Sequence, residues 1–422
     1  MKYLIVGTGF TGLVAALDLV EAGHEVVMLE KNSFVGGLAA GFKETKWEWN
    51  LEHHYHHIFR NDKSIINLAN RLNVKVKFYR VKTSFWDGEK IFQFDSVKSV
   101  LTNQQISLVD RIRTLGTMGF LKMIPNWEWF ERMTSEQLIK MTMGRKVWDK
   151  IWGPLFLGKF HQWTSVVNAT WFWARIHARS QALGYFGGGF NSLVKALTDK
   201  LISYGVKINL NENVEKIKIV DDKAWVKTQK ETYRVDKVLV TGPSNVVKKI
   251  MPDEEITNKP IQSLGAITMI LETRKKFLDD NTYWLNISDS KAPFLAFVEH
   301  TNMIGKEKYD NKNILYLGNY LPKEHAYFGK SDKDLLKIYA PYLKKINRKF
   351  DVDDTNNVWV FKTDYAQSVF EINHGRDVPK MEIVKNKIYW CGIEHVYPWD
   401  RGTNYAVEWG HKVAKLMMNK VR

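Results

Sequence analysis

Apolar residues at the start of the chain change period twice. Met1 to Val6 make a short run suited to a buried strand. Leu13 to Glu21 carry the spacing of an amphipathic helix that Gly23 stops, and Glu25 to Leu29 make a second strand. From Asp95 to Gln162 the texture turns to helical stretches dense in Trp, Phe, Met and basic residues, such as RIRTLGTMGFLKMIPNWEWFERM and KVWDKIWGPLFLGKF. After Lys200 a helix end gives way to short strands, and Val238 to Thr241 make another strand before Gly242 and Pro243. Between Pro252 and Asp364 the segments GAITMILE, PFLAFVEHTN and NILYLGNYLP alternate as half-buried strands do. They predict an antiparallel sheet flooring a pocket. The whole reads as an α/β chain with a helical insertion.

Between the first strand and its helix lie Gly7, Gly9 and Gly12, a GxGxxG turn, and the second strand ends on Glu30. Strand, turn, helix, strand and acid stand in the register of a βαβ dinucleotide site. Gly7 permits the tight turn, Gly9 lets the backbone approach a pyrophosphate, and Gly12 lets helix and strand pack closely. Phe10 and Thr11 open the helix, whose N-terminus faces the phosphates. Glu30, with Lys31 after it, stands where a carboxylate accepts hydrogen bonds from an adenosine ribose. A 2′-phosphate would be repelled there, which favours FAD or NAD over NADP.

Downstream, Phe34-Val35-Gly36-Gly37 and Leu38 resemble the ExxxxxGG extension of flavoproteins in the amine oxidase, protoporphyrinogen oxidase and phytoene desaturase superfamily. KIYWCGIEHVYPWDRGTNYAVEWGHKVAKLM is similar to the same superfamily's C-terminal strand, G-x-E turn, tryptophan loop and AVExG helix. The resemblance implies an FAD enzyme. Its fold would be a discontinuous, glutathione-reductase-type Rossmann domain (residues 1–75, 185–250 and 380–422) interrupted by an α+β substrate domain (76–184 and 251–379). It further implies that Val214 passes the adenine, that Gly392 and Glu394 form the turn, and that a helix beginning near Gly402 aims the backbone N–H groups of Thr403 and Asn404 at the flavin. The family commonly has glycine where this chain has Tyr405. Cys391 does not match the covalent attachment cysteine of monoamine oxidases, so the FAD is expected to be non-covalent.

Trp47 to Asp62 reads WEWNLEHHYHHIFRND. On a strand, His53, Tyr55 and His57 would share one face and His54 and His56 the other, so a metal site would need ligands from elsewhere, and no metal is expected. His57-Ile58-Phe59 is similar to the HIF segment of UDP-galactopyranose mutases, which implies that His57 lies nearest the flavin ring and moves protons. Arg175 and Arg179 sit four apart in TWFWARIHARSQ and would share a helix face, holding an anionic substrate between them or making separate surface ion pairs. Glu299, His300 and Asn302 end an apolar strand as a polar cluster suited to substrate binding or proton transfer; a solvent-exposed strand end is the other reading. Three functions follow: an oxidoreductase taking hydride from an amine or saturated carbon with His57 or His300 moving the proton, a redox-neutral mutase of a sugar nucleotide, or a non-catalytic flavin-binding module.

At 422 residues and 45% hydrophobic content the chain can build two or three domains. A single cysteine excludes an intramolecular disulfide and fits a reducing cytosol. A strand beginning at about Lys2 leaves no room for a signal peptide, and no apolar run reaches the ~18 residues of a spanning helix. The formal charge of +16 favours anionic partners or reflects a lysine-rich proteome. No nucleic-acid module accompanies it. The expectation is a cytoplasmic enzyme of small molecules, with the aromatic and basic insertion either packed as core or lying peripherally on an anionic membrane.

Overall fold

The computed structural model describes residues 1–257 and 260–419. Five parallel strands form the nucleotide sheet: β1 (Lys2–Val6), β2 (Glu25–Leu29), β3 (Lys207–Asn209), β4 (Lys237–Val240) and β5 (Ile388–Trp390), in spatial order β3–β2–β1–β4–β5. Glu382–Val384 adds an antiparallel edge to β5. The apolar runs of β1, β2, β4 and β5 are buried on both faces, as parallel strands covered by helices must be, while β3 forms a half-exposed edge. Between β1 and β4 the register joins Val6 to Val240, so residues more than two hundred positions apart meet at the strand ends that carry the glycine turn.

A second, seven-stranded sheet runs Thr355–Ser368, Ser263–Thr273, Asn313–Leu321, Ala296–Glu299, Thr282–Ile287, Lys82–Trp86 and Ile91–Gln93. It is antiparallel except where Thr282–Ile287 meets Lys82–Trp86. The antiparallel expectation for 252–364 thus holds, with two strands recruited from before the helical insertion. A small sheet of Ile58–Phe59, Ala182–Phe186 and Val76–Arg80 ties the two regions together and straddles the expected boundaries at 75/76 and 184/185, so the chain has no linker there.

Four helices build the site and its approach: α1 (Phe10–Glu21), α2 (Leu108–Met123), α3 (Ala169–Ala178) and α4 (Thr403–Met418). α1 buries Phe10, Leu13, Val14 and Leu17 in one core with Tyr3, Met28, Val407 and Met417. α4 crosses it so closely that a Cβ on Gly410 would stand 2.8 Å from the carbonyl oxygen of Thr11. α3 buries Trp171, Phe172 and Trp173 among the aromatic residues of the insertion, which form a core of their own. Packing therefore accounts for most of those aromatics, but not for the outward face of α2.

Candidate active site

The glycine turn is built as its spacing predicts. Gly7 has φ +103°, and a Cβ there would lie 2.4 Å from Thr241 Oγ1; a Cβ on Gly12 would lie 2.3 Å from the Gly7 carbonyl oxygen. These two glycines are demanded by the protein itself. Gly9 differs, because its Cβ direction meets no atom within 4 Å. The doublet folds back onto this turn: Gly36 N–H donates to the Thr8 carbonyl at 2.9 Å, and a Cβ on Gly37 would come within 3.1 Å of Gly9 Cα. Phe10 is buried beneath, Thr11 is half-buried, and Lys31 and Leu38 are exposed. The two motifs therefore form one cradle with an open centre.

Glu30 is buried at the rim and already fully engaged. One carboxylate oxygen accepts from the Thr8 N–H (3.0 Å) and hydroxyl (2.9 Å), the other from the Asn32 N–H (3.0 Å) and side-chain amide (2.8 Å). A carboxylate has about four lone-pair positions, so a ribose hydroxyl must replace one of these donors. The residue expected as a ribose acceptor is first the brace of the turn. Thr8 and Asn32, which sequence reasoning passed over, are its partners. The segment before Val214 meets this corner, with Asn211 N–H on the Asn32 carbonyl (3.0 Å) and Glu212 N–H on the Glu30 carbonyl (2.8 Å). Val214, two residues on, is buried in the same apolar cluster as Val27 and Leu29 of β2.

At the other end, the Gly392 turn packs on the loop after β4, where a Cβ would lie 2.7 Å from the Gly242 carbonyl oxygen. Glu394 is wholly buried and accepts from Ser244 N–H at 2.7 Å; burial pushes its carboxyl up against that bond. α4 begins at Thr403 directly after Gly402, with no carboxylate in its first turn to neutralise its N–H groups. The Asn404 side chain accepts from Ile65 N–H at 3.2 Å, so its role in the fold is separate from that of its backbone. Tyr405 turns aside and stacks on Trp399 (5.3 Å, 9°), which stacks in turn on Trp173 (5.2 Å, 29°).

The histidine run does not form the expected strand. Residues 53–57 run irregularly between the short strands Leu51–Glu52 and Ile58–Phe59, and each ring has its own setting. His53 stacks on Phe361 at 4.0 Å, His54 Nδ1 meets Thr268 Oγ1 at 2.8 Å, and His56 Nδ1 meets the His54 carbonyl at 2.6 Å. His57 lies edge-on to Phe59 and Trp284, with its buried Nδ1 lacking any hydrogen-bond partner. Burial, then Arg179, His56, Arg175 and Arg401, lowers its pKa to about 3, so it is neutral at ordinary pH. Among the described residues, no three His, Cys, Asp or Glu side chains stand as a metal set.

The arginine pair belongs to a larger cluster. α3 ends at Ala178, so Arg175 lies in its last turn and Arg179 is the first residue beyond, off the helix face that the spacing suggested. Arg175 pairs with Asp400 at 2.6 Å, and the nearly buried Lys159 approaches the same carboxylate at 3.8 Å while lying 4.6 Å from the Trp171 ring centre. Trp171 Nε1–H (2.8 Å) and Gln367 amide (2.9 Å) donate to the other Asp400 oxygen. Arg401 donates to the Ala366 carbonyl at 2.8 Å and to the Tyr320 hydroxyl. The Arg179 guanidinium makes no hydrogen bond or ion pair among the described residues; surrounding protein, then Arg175, push its pKa down to about 9, yet the residue is exposed. Burial raises the Asp400 carboxyl, but Lys159, Arg175 and Arg401 outweigh it and hold the group well below the usual carboxylate range. Three arginines and Lys159, whose ammonium burial pushes well below the usual lysine range, thus share one carboxylate.

The polar cluster after Ala296–Glu299 is structural. Glu299 is wholly buried, its oxygens accepting from the N–H groups of Phe277 (2.9 Å) and Leu278 (2.5 Å). His300 is buried with Nε2 on the Tyr309 hydroxyl at 2.8 Å, and burial lowers its pKa to about 3. Asn302 donates to the Thr282 carbonyl at 2.7 Å. Each side chain thus has a partner within the protein: Glu299 holds the Phe277–Leu278 turn, His300 meets Tyr309, and the half-buried Asn302 meets the start of Thr282–Ile287.

The open centre at Gly9, bounded by Gly37 and by a helix N-terminus, fits a pyrophosphate. The orphaned Nδ1 of His57, with the uncompensated N–H groups opening α4, fits the polar edge of a flavin. The sequence profile of the family described as flavin containing amine oxidoreductase matches residues 10–417. The 15-cis-phytoene desaturase of Arabidopsis thaliana is 22% identical over 391 residues, covering 82% of this chain and 66% of the desaturase. The chain therefore spans just under two thirds of that relative's length. Among solved structures, an oxidoreductase from Methanosarcina mazei superposes with a TM-score of 0.74 at 16% identity, covering 98% of this chain and 100% of its own. Cyclohexylamine oxidase from Brevibacterium oxydans gives 0.73 at 12% identity, covering 99% and 98%. These likenesses establish the fold. With the glycine cradle, the G-x-E turn and the profile spanning nearly the whole chain, the protein belongs to the flavin containing amine oxidoreductase family.

Proposed function

We propose that this enzyme oxidises a small anionic substrate at an amine or saturated carbon, holding its acidic group against Arg175, Arg179, Arg401 and Lys159. The observation that carries the reading is the excess of basic side chains over acid at this partly buried site: Arg175 and Lys159 pair with Asp400, and Arg179 and Arg401 stand near it. Such an excess is costly unless a ligand anion completes it. Bound non-covalently, FAD would supply the two-electron acceptor for the substrate's hydride. The chain's own part is to position and to move the proton. The arginines fix the substrate's acidic end, and the first N–H groups of α4 stabilise negative charge beside them. His57 is kept neutral by burial and by the neighbouring guanidiniums. An anion bound at those guanidiniums cancels their repulsion and raises the imidazole's proton affinity, so substrate binding itself readies Nδ1 to take the proton.

The test is an anaerobic titration of the yellow holoenzyme with acidic amines, amino acids and unsaturated or saturated carboxylates, followed by flavin absorbance. Bleaching by an anionic compound and none by its neutral ester supports the reading. Bleaching by esters and acids alike would remove the cation cluster from substrate binding. A holoenzyme that converts substrate only after prior chemical reduction would instead be a redox-neutral mutase.

A further inference from the structure

α2 is amphipathic in the inverse sense. It buries Thr114, Thr117 and Leu121, while Leu108 (60% exposed), Val109 (64%), Ile112 (59%), Phe120 (44%) and Met123 (78%) face outward. Leu108, Ile112 and Phe120, with Gly116 between, follow the four-residue spacing of one helix face. The stripe widens sideways, because Arg113 donates to the Met141 carbonyl at 2.6 Å and Met141 is itself 62% exposed. Soluble surfaces scatter such residues singly and do not normally align them along a helix.

The surroundings are basic and poorly compensated. Residues 97–146 contain eight Lys or Arg against four Asp or Glu. Of the three cations on α2, Arg111 and Lys122 spend their donors on backbone carbonyls, which leaves their charge intact. Arg113 does the same and has Asp110 only at 4.0 Å. Glu136 is taken by Lys140, and Glu131 accepts from the Gly375 N–H. An apolar stripe with a cationic rim fits an anionic lipid surface better than an aqueous one. Among the described residues no helix is long and apolar enough to cross a membrane, so the contact would lie in one leaflet.

We propose that the outward face of α2 docks this enzyme on an anionic bilayer. Lys122, next to Met123 at the end of the stripe, donates to the carbonyls of His177 and Arg179, and His177 Nδ1 lies 3.2 Å from the Leu121 carbonyl. The docked face therefore ends beside Arg179, the exposed wall of the cation cluster. Docking would bring the exposed Arg179 close to the lipid surface. This last placement rests on the proposed anionic substrate; the docking itself does not.

The holoenzyme is to be sedimented with vesicles of phosphatidylcholine containing roughly one-third phosphatidylserine, and with phosphatidylcholine alone. The expected result is binding to the anionic vesicles, at least about tenfold weaker binding to the neutral ones, and weakening with added salt. The pair Ile112→Glu and Phe120→Glu should lower vesicle affinity by at least about tenfold while FAD content and melting temperature stay unchanged, since both side chains face outward. Equal binding by wild type and this double variant would overturn the proposal, as would no binding to either vesicle. A concentration-dependent dimer in analytical ultracentrifugation, abolished by the same substitutions, would assign the face to a second copy and overturn it too.

Discussion

Asp400→Asn isolates the electrostatics of the cation cluster with little change of shape. In the wild type Arg175 lies 2.6 Å from the carboxylate, with the two side chains 27% and 13% exposed, and Lys159 lies 3.8 Å away. Removing one partner of a buried pair costs about 3–5 kcal/mol, because the remaining charge stays buried without compensation. The partial exposure of Arg175 screens part of this, which places the expected loss near about 3 kcal/mol. The variant should melt several degrees lower. Inorganic phosphate should then stabilise the variant more than the wild type, compared at equal ionic strength with chloride, because Asp400 no longer competes for the cations. The pH dependence follows from the depressed carboxyl. An unfolded aspartate titrates near about 3.9, so the stabilisation is complete above about pH 4 and is lost as pH falls below it towards the folded value. Wild-type and variant stability curves should therefore converge in acid. Identical melting at neutral pH and identical responses to phosphate would refute the charge-excess reading.

Gly9→Val should leave the apoprotein's melting temperature unchanged but abolish FAD uptake, measured by absorbance after reconstitution, because the added side chain enters the open centre of the cradle. Glu30→Ala should do both kinds of damage: it frees four donors and should lower apoprotein stability by about 1–3 kcal/mol in urea melts, besides weakening FAD. Arg179→Gln should raise the apparent substrate Kd with little change in melting, whereas Arg175→Gln should change both, since only Arg175 carries the Asp400 pair. Acid precipitation should release the yellow colour into the supernatant; Cys391 is buried and burial pushes its thiol up to about 12, leaving it a poor nucleophile for flavin attachment.

The cradle was legible because its information is local. A glycine that must adopt φ +103° or admit a carbonyl at 2.3 Å leaves its mark at one position, and the acid closing β2 lies within the same unit. The cation cluster was only half legible. Arg175 and Arg179 advertise themselves by spacing, but Lys159 sits in what reads as an ordinary basic helix, and Asp400 and Arg401 come from a loop more than two hundred residues on. The proximity of that loop to the flavin motif was the available signal. The partners of Glu299 and His300 were not legible, because a sequence does not say which way a polar side chain points, and here they meet the N–H groups of Phe277 and Leu278 and the Tyr309 hydroxyl. Composition likewise marked α2 as amphipathic without revealing that Thr114 and Thr117 join Leu121 on the core side while Leu108, Ile112 and Phe120 face outward.

The order of strands in the nucleotide sheet also bears on how the enzyme is made. β1 lies between β2, which follows it within a few tens of residues, and β4, which is synthesised much later; β5 and α4 come last. Until they emerge from the ribosome, β4 has an open edge and α1 lacks the helix that crosses it at Gly410. Closure over such sequence separations is slow, and an unpaired parallel edge is prone to aggregation. With the N–H groups of Thr403 and Asn404 facing the flavin as proposed, cofactor capture would wait for α4. Nascent chains stalled before residue 388 should be protease-sensitive and flavin-free, and overproduction without added riboflavin should favour inclusion bodies over soluble apoprotein.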